Sequence, residues 1–233
     1  MATAQQLLDL KYDRQLIEDR ARLSELFSED ILGALYRQHR DTMASILATI
    51  DLSISYQNDF NTSFKGLHLL TNLESLGAGN NGSGDMNISS LVNLKTIDLF
   101  NSYNLTSIGS LLNLVELEGI WLTNAPVQSI GSIRNSVKLV QAYFNGCQLD
   151  NIDVNFSTFT SLETLNVADN AFSTSVVNSL LNSARSALAA NPALPLQTLN
   201  LGGSTMGIPT GGASNADYVW LLNNGVTVTI RTT

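Results

Sequence analysis

The fold of this chain is indicated by LVNLKTIDLFN at residues 91–101, which returns as LVELEGIWLTN at 114–124, a spacing of 23 residues without a gap. Both copies follow the frame L-x-x-L-x-x-L-x-L, in which x is mostly polar. Weaker copies of the frame occur at residues 70–78, 139–144, 159–167 and 196–201. Because such a short unit buries its apolar side only against its neighbours, the period predicts a solenoid with one continuous core.

The frame resembles the leucine-rich repeat, which implies an α/β solenoid with one short parallel strand per unit on a concave face. The convex face is expected to be mostly irregular, because the spans between strands leave little room for helices. We expect the strands at residues 50–52, 76–78, 97–99, 120–122, 142–144, 165–167 and 199–201.

Two segments depart from this plain repeat. Residues 173–190 carry apolar side chains at helical spacing and stop before Asn191-Pro192, which predicts a helix in the sixth unit. After a helical turn that starts near Ala216, Asn224-Gly225 leads into the alternating strand 226–230. We interpret about 205–233 as a C-terminal cap whose edge strand closes the stack.

The first 45 residues differ in chemistry from the rest of the chain. They hold 14 charged side chains, whereas residues 46–233 hold 18. Apolar residues recur at helical spacing in two stretches of this segment. The sequence predicts an N-terminal α-helical segment at 1–45 and the solenoid at 46–233, with the helices either capping the first repeat or anchoring the chain in an assembly.

One inward position follows each predicted strand, three residues after the last apolar residue of the frame. It is occupied by Asn81, Ser102, Ala125, Cys147 and Asn170. Side chains at this position normally form hydrogen bonds with neighbouring backbone groups. We therefore interpret Cys147 as a buried structural residue and not as a nucleophile.

The outward positions of the strands predict the functional surface. Strand alternation places Phe100, Trp121 and Tyr143 on the concave face of adjacent units. Polar side chains are expected around these aromatic residues, namely Asp98, Asn145 and Asn166. Exposed aromatic residues beside amides and a carboxylate suit a glycan or a protein. The alternative is that the N-terminal helices or a neighbouring subunit cover this patch.

Several classes of function have no support in the sequence. A net charge of −8 and a pI near 4.6 argue against nucleic acid as a partner. The single Cys147 excludes an intrachain disulfide. No catalytic constellation, metal-ligand motif or cofactor motif is recognisable, so we expect a non-enzymatic protein without metal or cofactor. No secretory signal and no membrane span are expected.

The C-terminal unit carries a more specific resemblance, in three stretches that are LNLGG at 199–203, PTGG at 209–212 and LNNGVTVT at 222–229. It is similar to the last unit of leucine-rich-repeat proteins of bacteriophages and some environmental bacteria. Val226 stands where those proteins usually have Trp. The resemblance covers nothing in residues 1–45.

The resemblance implies a virion protein or a cell-surface interaction module. We expect a fibre, decoration or receptor-binding module of a phage particle, part of an oligomeric assembly, in which residues 1–45 contact other virion proteins and the solenoid binds a host-surface glycan or protein. The alternative is a soluble cytoplasmic scaffold for protein–protein interaction, with the helices as a cap.

Overall fold

A computed structural model of the chain describes residues 21–27, 31–32, 35, 42–53, 64–80 and 83–233. Most of the predicted segment 1–45 and the predicted inward residue Asn81 lie outside these ranges. In the described part, apolar side chains from Leu23 to Ile230 form one buried cluster. That cluster is what a stack of mutually dependent repeats requires.

In the described part of the chain, the main sheet has eight strands, all parallel, and their order across the sheet is their order along the chain. They are β1 Asp51–Ser53, β2 Ser75–Gly77, β4 Thr96–Asp98, β6 Gly119–Trp121, β7 Gln141–Tyr143, β8 Thr164–Asn166, β9 Thr198–Leu201 and β10 Thr227–Ile230. A second, two-stranded sheet pairs β3 Ser83–Asp85 with β5 Asn104–Ser107.

One column of buried side chains sets the register of the main sheet. The paired central residues are Leu52, Leu76, Ile97, Ile120, Ala142, Leu165, Leu199 and Val228. Burial of these residues holds every strand in one alignment, because a slip by one residue would turn the apolar side chains outward.

The predicted range of the first strand, 50–52, differs from β1 by one residue, but its predicted register is wrong. Strand ranges of 50–52 and 97–99 imply that Ile50 is equivalent to Ile97, whereas the structure aligns Leu52 with Leu76 and therefore with Ile97. Ile50 is 53% exposed and Leu52 is fully buried. The form Ile50-Asp51-Leu52 imitates the repeat, but only Leu52 reaches the core. The other predicted strands are confirmed to within one residue.

A residue in the left-handed backbone conformation lies in the turn after each of six strands. These strands are three or four residues long. This position has positive φ and is occupied only by Asn, Asp or Gly, at Asn80, Asn101, Asn124, Gly146, Asp169 and Gly203. These residue types adopt that conformation at least cost. The sharp turn directs the chain inward, toward the next position of the repeat.

The inward position that follows this turn forms the predicted hydrogen bonds to neighbouring repeats. Asn170 is buried, and its Nδ2 donates to the carbonyl oxygen of Phe144 at 2.7 Å. The thiol of Cys147 donates to the carbonyl oxygen of Leu122 at 3.1 Å, and the hydroxyl of Ser102 donates to that of Ala78 at 3.4 Å. These bonds connect the turns that contain Ser102, Cys147 and Asn170 to the repeat before each of them.

Helices and short 3₁₀ turns complete the fold. Among the described residues from 42 onward, the α-helices are α1 Met43–Leu47, α2 Thr174–Ala190 and α3 Ala216–Asn223, and the 3₁₀ turns are Leu67–Leu69, Phe156–Thr158 and Gly212–Ser214. The predicted helix of the sixth unit is confirmed as α2, which Ser173 caps by accepting from the amide of Val176. The predicted closing strand is confirmed as β10, which pairs with β9.

The described N-terminal residues pack on the first repeats. Residues 21–26 are helical, and Leu23 and Phe27 are buried in the same apolar cluster as Leu52. Gly66 lies so close to Phe27 that a Cβ atom at position 66 would collide with its ring. The predicted boundary near residue 46 stays a prediction.

We predict that Cys147 makes stability depend on alkaline pH. Burial raises the pKa of its thiol to about 12, and this effect exceeds the opposing hydrogen bond with the Ala125 backbone. Below the unfolded value near 9 both states carry the neutral thiol, so its contribution is intact. Above this pH the Cys147 thiol ionises only in the unfolded chain. The free energy of unfolding should therefore fall by up to about 1.4 kcal/mol per pH unit.

Urea denaturation between about pH 7 and pH 10 measures this effect. Cys147→Ser is the control, because its hydroxyl does not ionise in this range. The native thiol should also resist thiol reagents near neutral pH. Rapid labelling of the folded protein, or an equal alkaline loss in the Cys147→Ser variant, would contradict the burial of this thiol.

Candidate binding surface

The register of the main sheet brings four of the six predicted site residues into one row, here called the concave row. Asp98 pairs with Trp121, Trp121 with Tyr143, and Tyr143 with Asn166. Paired residues of neighbouring strands lie about 5 Å apart on the same face. The row therefore runs across four repeats as carboxylate, indole, phenol and amide.

The other two predicted residues lie in a second row, two positions further along the chain. Phe100 follows Asp98, and Asn145 follows Tyr143, with Thr123 between them in the intervening repeat. The hydroxyl of Thr123 donates to Oδ1 of Asn145 at 3.0 Å. All six predicted residues are half-buried, so their side chains are partly accessible to solvent.

Two glycines allow the aromatic rings to lie against the backbone. A Cβ atom at Gly119 would approach Cη2 of the Trp121 indole to 2.5 Å, so the indole extends along its own strand over that glycine. A Cβ atom at Gly79 would approach the Phe100 ring to 2.6 Å, so Phe100 leans over the preceding repeat. The two rings therefore lean in different directions.

An open depression of about 240 Å³ lies between these rings. Its lining consists of Asp98, Phe100, Trp121 and Thr123. Tyr143 belongs to the concave row but does not line the depression.

Three polar residues on the concave face also accept a backbone amide where their strands end. Oδ1 of Asp98 accepts the amide of Phe100 at 3.3 Å, and Oδ1 of Asn166 accepts the amide of Ala168 at 3.2 Å. Asn200 makes the same bond to Gly202 at 3.0 Å. One side-chain oxygen of each residue therefore accepts a backbone amide of its own turn.

The charges near this surface are unevenly distributed. In the part of the chain that the structure describes, none of the outward positions of the central strands carries Lys or Arg. Four described cations of the solenoid form ion pairs, for example Lys95 with Glu74 at 2.6 Å and Lys138 with Glu116 at 2.5 Å. The hydrogen bond with Glu74 is the main cause that raises the pKa of Lys95. Among the described residues, no cation forms an ion pair of this kind with Asp98.

The structure adds three residues to the predicted surface. Alternation places Thr123, Gly79 and Gly119 outward, but only the structure shows that Thr123 lines the depression and that the glycines accommodate the rings. The signal in the sequence for this arrangement is Gly119, which lies two residues before Trp121 and therefore on the same face of the strand. Among the described residues, no group of three or more acidic, His or Cys side chains could hold a metal ion.

Comparison with known proteins places the chain by its fold alone. No family model matches the sequence, and no curated protein matches it. Solved structures do match. Internalin InlF of Listeria monocytogenes is similar over 90% of this chain and 57% of its own, at 18% identity and a TM-score of 0.60.

Two further internalins of Listeria monocytogenes give comparable matches. Internalin C2 is similar over 89% of this chain and 96% of its own, at 20% identity and a TM-score of 0.50. The functional domain of InlJ, which includes a cysteine ladder, is similar over 89% of this chain and 46% of its own, at 16% identity and a TM-score of 0.55.

The fold is a leucine-rich-repeat solenoid. The chain spans little more than half of InlF and less than half of the InlJ domain. Within the described ranges, no helix combines the length and the apolar character needed to cross a membrane.

We predict that Gly119→Ala disturbs the surface and leaves the fold intact. The backbone at Gly119 has no positive φ, so the added methyl group causes no backbone strain, but it displaces the indole of Trp121. The indole NMR signal of Trp121 should shift, while that of Trp220 and the melting temperature stay nearly unchanged. An unchanged Trp121 signal would show that the indole does not lie over Gly119.

Proposed function

We propose that this protein is a non-enzymatic protein-binding scaffold whose concave face holds the partner. The concave row carries the proposal, because it aligns an indole and a phenol on neighbouring strands and leaves both partly accessible. Aromatic side chains of this kind dominate binding energy at protein interfaces.

The fold itself does not need these aromatic residues. The inward column supplies the core, whereas Trp121 and Tyr143 occupy the outward position that is Gly in β2 and Asn in β8 and β9. Large side chains at positions where small ones also occur indicate selection for a partner. The fold likeness to internalins supports a scaffold role of this general kind.

Within this function, we place the protein on a phage virion, as a fibre, decoration or receptor-binding module in an oligomeric assembly. The support is the C-terminal unit, whose stretches 199–203, 209–212 and 222–229 resemble the last unit of phage leucine-rich-repeat proteins. In this proposal residues 1–45 contact other virion proteins and the solenoid contacts the host surface. A cytoplasmic scaffold is the alternative.

The aromatic pair is tested by the double substitution Trp121→Ala and Tyr143→Ala. The partner is first captured from host-surface or particle proteins with the immobilised full chain and identified by mass spectrometry. Its affinity for the purified variants is then measured. The double variant should bind at least about 30-fold more weakly, since truncation of such anchors costs about 2 kcal/mol or more.

Tyr103→Ala is the matched control, because Tyr103 is 56% exposed but lies outside both concave rows. It should bind as the unchanged protein does, and both variants should keep the circular dichroism spectrum and melting temperature. Equal affinity of the double variant and the unchanged protein would exclude the concave row as the binding surface.

The virion assignment is tested by fractionation. Virus particles are purified on a density gradient from the culture that produces the protein. An antibody against the solenoid then detects the protein in the gradient fractions. It should sediment with the particles and stay bound after a high-salt wash. Recovery only in the soluble fraction of the cells would favour the cytoplasmic scaffold.

A further inference from the structure

We propose that the depression between Phe100 and Trp121 receives a cationic side chain of the partner, an arginine or a lysine. This inference rests on the proposed function and names the chemistry of its partner. It is carried by the composition of the depression, in which Asp98, Phe100, Trp121 and Thr123 combine two aromatic rings with a carboxylate and a hydroxyl.

The polar atoms around the depression offer acceptors. One oxygen of Asp98 accepts the Phe100 amide, and the other has no hydrogen bond from any described residue. The hydroxyl proton of Thr123 is donated to Asn145, which leaves the lone pairs of its oxygen for an incoming donor. Arginine and lysine side chains are donors only, so they match this set of acceptors.

The charge of the depression points the same way. Four of the described cations of the solenoid, Lys95, Lys138, Arg134 and Arg185, pair with acidic residues other than Asp98. The carboxylate of Asp98 therefore carries a negative charge that no nearby described side chain balances. A neutral sugar could form hydrogen bonds with Asp98 but would leave this charge uncompensated.

The aromatic rings add a second attraction for the same ligand. A guanidinium or ammonium group within about 6 Å of an aromatic ring is attracted by the electrons of its face. The molecule already uses this interaction elsewhere, because the guanidinium of Arg185 lies 5.9 Å from the centroid of Trp220 and also pairs with Asp217. A partner's arginine at Trp121 and Asp98 would repeat that arrangement between two proteins.

The experiment is an NMR titration of the full chain, followed at the indole ¹H–¹⁵N signals. N-acetyl-arginine amide is the cationic probe, and N-acetyl-citrulline amide is its neutral counterpart of nearly the same shape. Trp220 is an internal control in the same spectrum, because a cation already lies over its ring. N-acetylglucosamine tests the sugar alternative.

The arginine probe should shift the Trp121 signal saturably, with a Kd on the order of 10 mM. The citrulline probe should bind at least about 10-fold more weakly, and added salt should weaken the arginine probe further. Asp98→Asn should remove the preference for arginine. This substitution preserves the turn, because Asn166 makes the same bond to the amide two residues later.

Three results would overturn the inference: equal response to both probes, a saturable response to the sugar alone, or no response of Trp121 to any probe. Failure here is distinct from failure of the proposed function. If the Trp121 and Tyr143 double variant loses its protein partner while Asp98→Asn keeps it, the concave row binds without a cation.

Discussion

The architecture depends on the buried column that runs through the centre of the main sheet. Leu76, Ile97 and Ile120 are fully or almost fully buried, and each contacts its counterparts in the neighbouring repeats. Because side chains alternate along a strand, fixing these residues inward also fixes the face of every residue between them. The concave row is a consequence of this constraint and needs no separate interaction to align it.

The turns after the strands add local hydrogen bonds to this constraint. Asn101 and Asn124 adopt positive φ after their strands, and Nδ2 of Asn124 donates to Oδ1 of Asn101 at 2.9 Å. The next inward residue, such as Cys147 or Asn170, then bonds to the backbone of the preceding repeat. Short strands whose C-terminal ends are bonded to the neighbouring repeats in this way form a surface with little freedom to move, and this reduces the entropic cost of binding a partner.

The period of the repeat made most of this surface predictable. An apolar frame with a spacing of 23 residues determines which positions face inward, and so the row of Asp98, Trp121, Tyr143 and Asn166 follows from counting. The first strand was less predictable, because Ile50 and Leu52 are both apolar and a single sequence does not show which of them is buried.

The shape of the site was not predictable from alternation. Alternation gives the face of Trp121 but not the direction in which its indole leans, which depends on the space at Gly119. The depression arises because Trp121 and Phe100 lean differently, and its size depends on atoms of four residues in two repeats. Side-chain directions of this kind are set by packing and not by the repeat.

The central claim is that the buried column places these outward residues side by side. It is tested most directly by interstrand backbone nuclear Overhauser effects in the isotope-labelled full chain. The account predicts that these effects connect Asp98 with Trp121 and Trp121 with Tyr143. Effects that connect Trp121 with Gln141 or Asn145 instead would show a register shifted by two residues, and the concave row would not exist.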